Sequence, residues 1–544
     1  MALLPLIDAN GYRPLYVRPI VHSGDTVADA YRTAVTDHIG GGTLGAYSPI
    51  TFPASWDVVL TASDSLATIE AAIANTNNIN IGFAPGDYRS LGQITIYRRK
   101  LSGAPIFLGS TDGAQTHPYD LAEGNRVRLR RIRFQGGAGF CLYRLAFEGD
   151  NTTSSANRTV YIERNASTGD LAQDITVSHC MQQFALKGIF AGGWTSYGLS
   201  VQYNVGFDCV LAAGVDSEPC EMFSTQDSWV SCNEFFDGGG DEIVTNADTS
   251  GLVVENNCCY KSDKMRAKGD GTLWDQVSPI ADYPYVQGEQ NIDIKGFASQ
   301  GNPAIFMKNR LWGKRKRPNN GTGSGAYGTA AMILSQGGSP YIGARYIVVV
   351  ENIIGPSAMC INHANYNAAA NAAGNNSINR NLLVMETYDD PDALHFQSNN
   401  HNTFLISTST NQFLFNTLVF EGKESAGNYD PYAVNRGYQH DFQANLIIDC
   451  DQGFAGSMGG RTDYNAYVNT PDQSETNKLT FPDRATAGLL DYTFYRKLLT
   501  GPELYTINEC VPPVGSSMVD YGSSATHLSG YGCLANAVAQ GPEI

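Results

Sequence analysis

QYNVGF (202–207), SCNEFF (231–236) and ENNCCY (255–260) repeat one design, in which a polar residue, most often Asn, sits beside or within a short apolar run. The same design returns upstream as LYRLAF (142–147) and VSHCMQQF (177–184). Downstream it continues as KNRLWG (308–313), ENIIGP (351–356), NRNLLV (379–384), FNTLVF (415–420) and ANLIID (444–449). Asn204 and Asn233 are 29 residues apart, as are Asn352 and Asn381, and Asn416 and Asn445. A second strand-like run, such as GLVVEN or RYIVVVEN, precedes many of these segments. Several short strands and turns per period of roughly 20–30 residues describe one coil of a parallel β-solenoid. Asn suits the corner between two strands because it tolerates left-handed backbone geometry, and stacked Asn side chains can hydrogen-bond along the ladder. A β-sandwich is the other all-β option, but its strands have no need of Asn at a fixed phase.

Composition agrees with a strand-rich surface built from uncharged polar groups. Only 16% of the 544 residues are charged, while glycine numbers 57 and tyrosine 29. A net charge of −17 argues against general nucleic-acid binding, which needs clustered Lys and Arg. The basic run KRKRP (314–318) leads into NNGTGSG and reads as a solvated loop. The 11 cysteines show no CxxC pairing or zinc-type spacing, and are expected as small buried residues in a chain made under reducing conditions. The N-terminal stretch MALLPLIDANGYRP lacks the basic and apolar regions of a secretory signal, and no run approaches the length of a membrane span.

The entry to the ladder, SLATIEAAIANTNNINIGFAPGDYRS (65–90), combines an apolar helical run, a strand and PGDY. With DYNAY (463–467) after the last repeats, it resembles the pectate-lyase-like right-handed β-helix family over about residues 60–470. The resemblance implies an all-β, right-handed parallel β-helix over 61–470, an N-terminal attachment or capping segment at 1–60, and a small C-terminal cap at 471–544. Within that cap, LLDYTFYRKLLTG (489–501) reads as an amphipathic helix.

Three segments upstream of the Asn corners carry acids: CEMFST (220–225), DEIVTN (241–246) and IDIKGF (292–297). Glu221, Glu242 and Asp293 are expected at similar phase on successive coils, and later coils put uncharged residues there. Ile292 and Ile294 would point inward, and Asp293 and Lys295 outward. Carboxylates on coils ~4.8 Å apart repel by roughly 3–4 kcal/mol at an effective dielectric near 20, so such a line needs a cation, protonation or basic neighbours. Lys295 and Arg310 are the basic candidates. Asp237 and Asp241 add acidic groups beside what reads as a flexible glycine turn.

β-Helix lyases of the alginate and chondroitin type carry an acidic Ca²⁺ site, then a Lys, then an Arg on a later strand. The resemblance therefore implies Ca²⁺ on Glu221, Glu242 and Asp293, Lys295 as base, and Arg310 as proton donor or charge stabiliser. Glu242 and Asp293 as an acid and base pair would instead make a glycoside hydrolase. Trp274, Tyr283, Tyr285, Trp312 and Tyr327 are the candidate sugar-stacking aromatics. The combined expectation is a phage-type virion spike, made in the host cytoplasm and homotrimeric beside other virion proteins. It would bind and degrade a bacterial capsular or O-antigen polysaccharide. A non-catalytic glycan-binding adhesin and an exported, secreted bacterial lyase are the alternatives.

Overall fold

The computed structural model describes residues 52–113, 116–192, 195–210, 217–261, 290–299 and 302–312, and from 330 to 487 chiefly the strands with their adjoining turns. The chain divides into two compact units. One runs to Cys258 and takes in Gly296–Ala304; the other comprises Cys259–Lys295 and the chain from Ile305.

In the first unit each full coil contributes one strand to each of three all-parallel sheets. Sheet I contains Gln93–Ile96, Arg131–Gln135, Arg158–Glu163, Lys187–Ala191, Glu218–Phe223 and Ile243–Asp248. Sheet II begins at Val58–Leu60 and includes Gln173–Ser178, Ser200–Gln202, Trp229–Ser231 and Val253–Glu255. Sheet III includes Ala146–Glu148, Met181–Gln183, Val205–Phe207 and Glu234–Phe236. Parallel pairing puts like residues over like: Ile94, Ile132, Val160, Ile189, Cys220 and Ile243 form one inward column on sheet I. All six are buried, and a fully buried aliphatic side chain contributes about 1.5–3 kcal/mol. The second unit repeats the plan, with the strands Ile347–Val350, Asn376–Asn379, Asn411–Leu414 and Asp441–Gln443 in one parallel run. Arg310–Trp312, Ile353–Ser357, Leu382–Glu386, Thr417–Glu421, Leu446–Ile448, Asn465–Val468 and Lys478–Phe481 make another. This is a right-handed parallel β-helix.

The recurrent asparagines form continuous ladders between sheets II and III. Asn233 Oδ1 accepts from both the backbone N–H and the Nδ2 of Asn204, each at 2.9 Å. Asn233 Nδ2 in turn donates to Asn257 Oδ1 and to the Val201 carbonyl, again at 2.9 Å. In the second unit the same bonds connect Asn309, Asn352, Asn381, Asn416, Asn445 and Asn465 in order. There the ladder ends on a carboxylate: Glu475 takes the backbone N–H and Nδ2 of Asn465 as a further Asn would. The left-handed corner residue is not the Asn but the one before it: Tyr203, Cys232, Asn256 and Lys308 have φ of 57, 64, 53 and 56°. The Asn side chain contributes hydrogen bonds to the corner, not tolerance of the turn.

The entry segment folds as its sequence predicts. Leu66–Ala74 is an α-helix capped by Ser65, which accepts from the Thr68 N–H, and it buries Ile69 and Ile73. Arg98 closes its far end by donating to the carbonyls of Ile73, Asn75 and Asn78. In PGDY, Tyr88 is buried and donates to the carbonyls of Leu60 and Ala84. The nine cysteines among the described residues are buried thiols. Burial pushes the Cys180 thiol up to about 12, so it behaves as a small apolar residue. Residues 1–51 and 488–544, including the helix expected at 489–501, lie outside the described residues.

Candidate functional site

The outer face of sheet I in the first unit concentrates charge and aromatic surface. Register places Thr95, Arg133, Tyr161, Phe190, Glu221 and Val244 in one outward column. Glu221 does not stand over Glu242. It pairs with Val244, so Glu242 lies two residues back along the next coil, about 8 Å away between backbones at ordinary strand geometry.

Lys187, at the start of its strand, reaches both Glu218, with which it forms a close ion pair, and Glu221, at 3.1 Å. Glu218 is fully buried and Glu221 nearly so. A buried carboxylate costs several kcal/mol unless it is paired, and here one ammonium serves two. Glu242 is also fully buried and accepts from the Gly238 N–H at 3.3 Å. The glycine turn beside it is tightly held, not flexible. Gly239 and Gly240 donate to the carbonyls of Cys209 and Ser217, and a Cβ on Gly239 would lie 2.3 Å from the Val210 carbonyl. Glycine is required there for close backbone approach. Asp237 and Asp241 are buried in the same turn.

In the second unit Ile292 and Ile294 point inward, as the alternation predicts. Asp293 is not exposed, however: only 3% of it is accessible, and its carboxylate pairs with Lys295 Nζ at 2.7 Å. The two form a substantially buried ion pair instead of a solvated one. Arg310 lies in a different sheet, on the strand that pairs with Ile353–Ser357, whereas the strand of Lys295 pairs with Ala330–Ser335. The structure therefore places these two candidate groups on different sheets of the coil. Trp274, Tyr283, Tyr285 and Tyr327, and the side chain of Trp312, lie outside the described residues.

Sequence reading missed two groups here. Lys187 stands one coil before the acids it serves, in register with Glu218, and only the register reveals the pairing. NRVRLRRIRF (125–134) holds five arginines, one more basic residue than KRKRP. On the coil, Arg128 pairs with Glu148, Arg130 with Asp150 and Arg133 with Glu163.

The molecule thus belongs to the class of parallel β-helices with a charged outer sheet. No protein-family model matches the chain, and no curated protein matches its sequence. Solved structures similar to it include an alginate lyase from a Paenibacillus species, 11% identical over 67% of this chain and 98% of that one, with a TM-score of 0.36. Another is a mannuronic-acid-specific polysaccharide lyase from the human gut microbiota, 13% identical over 82% and 96%, with a TM-score of 0.40. A third is a surface adhesin of Streptococcus pneumoniae, 9% identical over 76% and 93%, with a TM-score of 0.39.

Proposed function

We propose that the protein binds a bacterial surface polysaccharide along its coils and cleaves it, as the homotrimeric spike of a virion made in the host cytoplasm. The observation that carries the reading is the outward column of sheet I. Arg133, Tyr161, Phe190 and Glu221 follow one another on successive coils, with Lys187 beside them, against a wholly apolar inward column. A repeating polymer suits a surface that repeats at the spacing of the coils. The buried cysteine thiols support synthesis in a reducing compartment.

For cleavage by β-elimination, Lys295 is the proposed base: as the neutral amine, its extra proton already given up to solvent, it takes the proton α to a uronate carboxylate, the double bond forms, and the glycosidic oxygen leaves and takes a proton from water. Asp293 holds the lysine side chain in place. Glu221 and Asp293 already have lysine partners. Among the described residues no group of three or more His, Cys, Asp or Glu is arranged to hold a metal ion. The residues described therefore do not fit a three-carboxylate Ca²⁺ site. The depth of Asp293 favours a second reading, in which the pair is structural and the spike binds without cutting.

Incubation with host capsule, followed by sizing and ultraviolet detection of unsaturated product ends, separates the two. Lys295→Arg preserves the ion pair but provides no base at neutral pH. Fragments from the parent and none from Lys295→Arg are expected. Equal cutting by both proteins would remove Lys295 from the mechanism, and no fragments from the parent would leave the binding-only reading.

A further inference from the structure

Two guanidinium groups on sheet I of the first unit have no acid beside them. Arg131 donates from Nε to the Arg158 carbonyl at 2.7 Å and from Nη1 to Gln93 Oε1 at 2.9 Å. Arg158, one coil on, lies over two rings, with its guanidinium carbon 4.1 Å from the centre of Phe190 and 4.7 Å from that of Tyr161. Both arginines are half-buried. Among the described residues no carboxylate comes within ion-pair distance of either, although their neighbours Arg130 and Arg133 each have one. In a chain of net charge −17 this absence is specific to the place. Burial and the charge of Arg158 both hold Arg131 below the usual arginine range, with Asp150 opposing from farther off. Two partly desolvated cations on adjacent coils repel each other, and an anion from outside would relieve them further.

We propose that Arg131 and Arg158 form an anion subsite for the carboxylate or sulfate group of an acidic polysaccharide, with the rings of Tyr161 and Phe190 fixing the plane of the Arg158 guanidinium. The inference rests on the polysaccharide reading above and adds the residues that would recognise the polymer's negative charge. Arginine suits the task because its planar fork matches a carboxylate or sulfate, and because stacking fixes its orientation before the ligand arrives. Glu218 and Glu221 pair with Lys187, and among the described residues neither comes within ion-pair distance of Arg131 or Arg158.

The test titrates the purified protein with a polyuronate, with dextran sulfate, with neutral dextran and with host capsule, by calorimetry or affinity electrophoresis. The parent is expected to bind at least one of the two acidic polymers, more weakly at high salt, and to ignore neutral dextran. Preference between the two identifies carboxylate or sulfate as the recognised group. Loss of each guanidinium–anion contact is expected to weaken binding about tenfold, so Arg131→Gln with Arg158→Gln should cost about a hundredfold. The melting temperature and far-ultraviolet spectrum report folding. If the double variant fails to fold, Arg131→Lys and Arg158→Lys retain the charge without the fork, and several-fold weaker binding is expected. Variants that bind acidic polymers as the parent does would overturn the subsite while leaving the polysaccharide reading intact. Binding to capsule but to neither acidic polymer would do the same. A parent that binds none of the four would overturn both.

Discussion

Replacing Asn233 by alanine tests the ladder where its bonds are most fully defined. The side chain is 2% exposed and takes part in four hydrogen bonds: two accepted from Asn204, and one each donated to Val201 and Asn257. Alanine leaves the Asn204 backbone N–H, one Asn204 Nδ2 hydrogen and the bond to the Val201 carbonyl without their partner. Each buried polar group so deprived costs about 1–3 kcal/mol, and a water entering the vacated space would recover part of it. The expected loss is about 3–5 kcal/mol, large for a single substitution that creates no sizeable apolar cavity.

Urea unfolding followed by far-ultraviolet circular dichroism measures that loss, with the slope compared to confirm that the same surface is exposed. Asn233→Asp sharpens the test. The introduced carboxyl can still accept from Asn204, but it faces the Val201 carbonyl and Asn257 Oδ1 and must carry a proton to donate to either. Its folded pKa would therefore lie above its unfolded value. The stability of that variant should be greatest below about pH 4 and fall as pH rises through the folded pKa. A change within about 0.5 kcal/mol for Asn233→Ala, or an Asn233→Asp variant whose stability relative to the parent does not change with pH, would refute the ladder as a source of stability.

Three further outcomes follow from buried polar groups. Lys187→Met should destabilise the first unit by about 3–5 kcal/mol, because Glu218 and Glu221 lose the ammonium they share; a change under about 1 kcal/mol in thermal or urea unfolding would count against that pairing. Gln182 is fully buried between Phe147 and Gly206 on sheet III, and neither amide atom has a hydrogen-bond partner, so Gln182→Met should stabilise by about 1–2 kcal/mol. Destabilisation instead would indicate that a buried water serves the amide. Glu475 titrates above the usual carboxylate range because burial outweighs its bonds to Tyr467 and Asn465. Its share of stability is fully present below its unfolded pKa and is lost as pH rises through the folded value, so Glu475→Gln should flatten the melting-temperature profile on that side; an unchanged profile would deny Glu475 this role.

The coils were legible in the sequence because the ladder asks one residue type to do one job at one phase. An Asn that accepts from the coil before it and donates to the coil after it cannot drift, so Asn352, Asn381, Asn416 and Asn445 announce themselves by their fixed place before each apolar run, even where the interval lengthens from 29 to 35 residues. The entry helix was legible for a similar reason, since Ser65 and the PGDY turn are local signals. Charge was harder to read. Asp293 and Lys295 alternate with Ile292 and Ile294 as an exposed pair would, and nothing local shows that the outward face of that strand is covered. Acids in matching motifs, such as Glu221 and Glu242, were expected to stack, but the pairing of Cys220 with Ile243 sets them two residues out of step.

The arginines of 126–133 show why local charge density misleads in a solenoid. Side chains adjacent in sequence alternate between faces, while their electrostatic partners come from the next coil, tens of residues away. Arg128 meets Glu148, Arg130 meets Asp150 and Arg133 meets Glu163, so most of a strongly basic run is neutralised one coil later. The corresponding step from Arg131 leads to Thr159 and the neighbouring Arg158, where no carboxylate stands. The informative quantity is the charge left over after neighbouring coils are laid in register, not the charge of any one segment. On sheet I of the first unit that remainder is two positive charges at Arg131 and Arg158, followed along the same sheet by an excess of acid around Lys187. With the proposed subsite at one end, a surface ordered in this way would meet an anionic group there and a different part of the ligand at the other end, and so would give a bound chain a direction as well as a place.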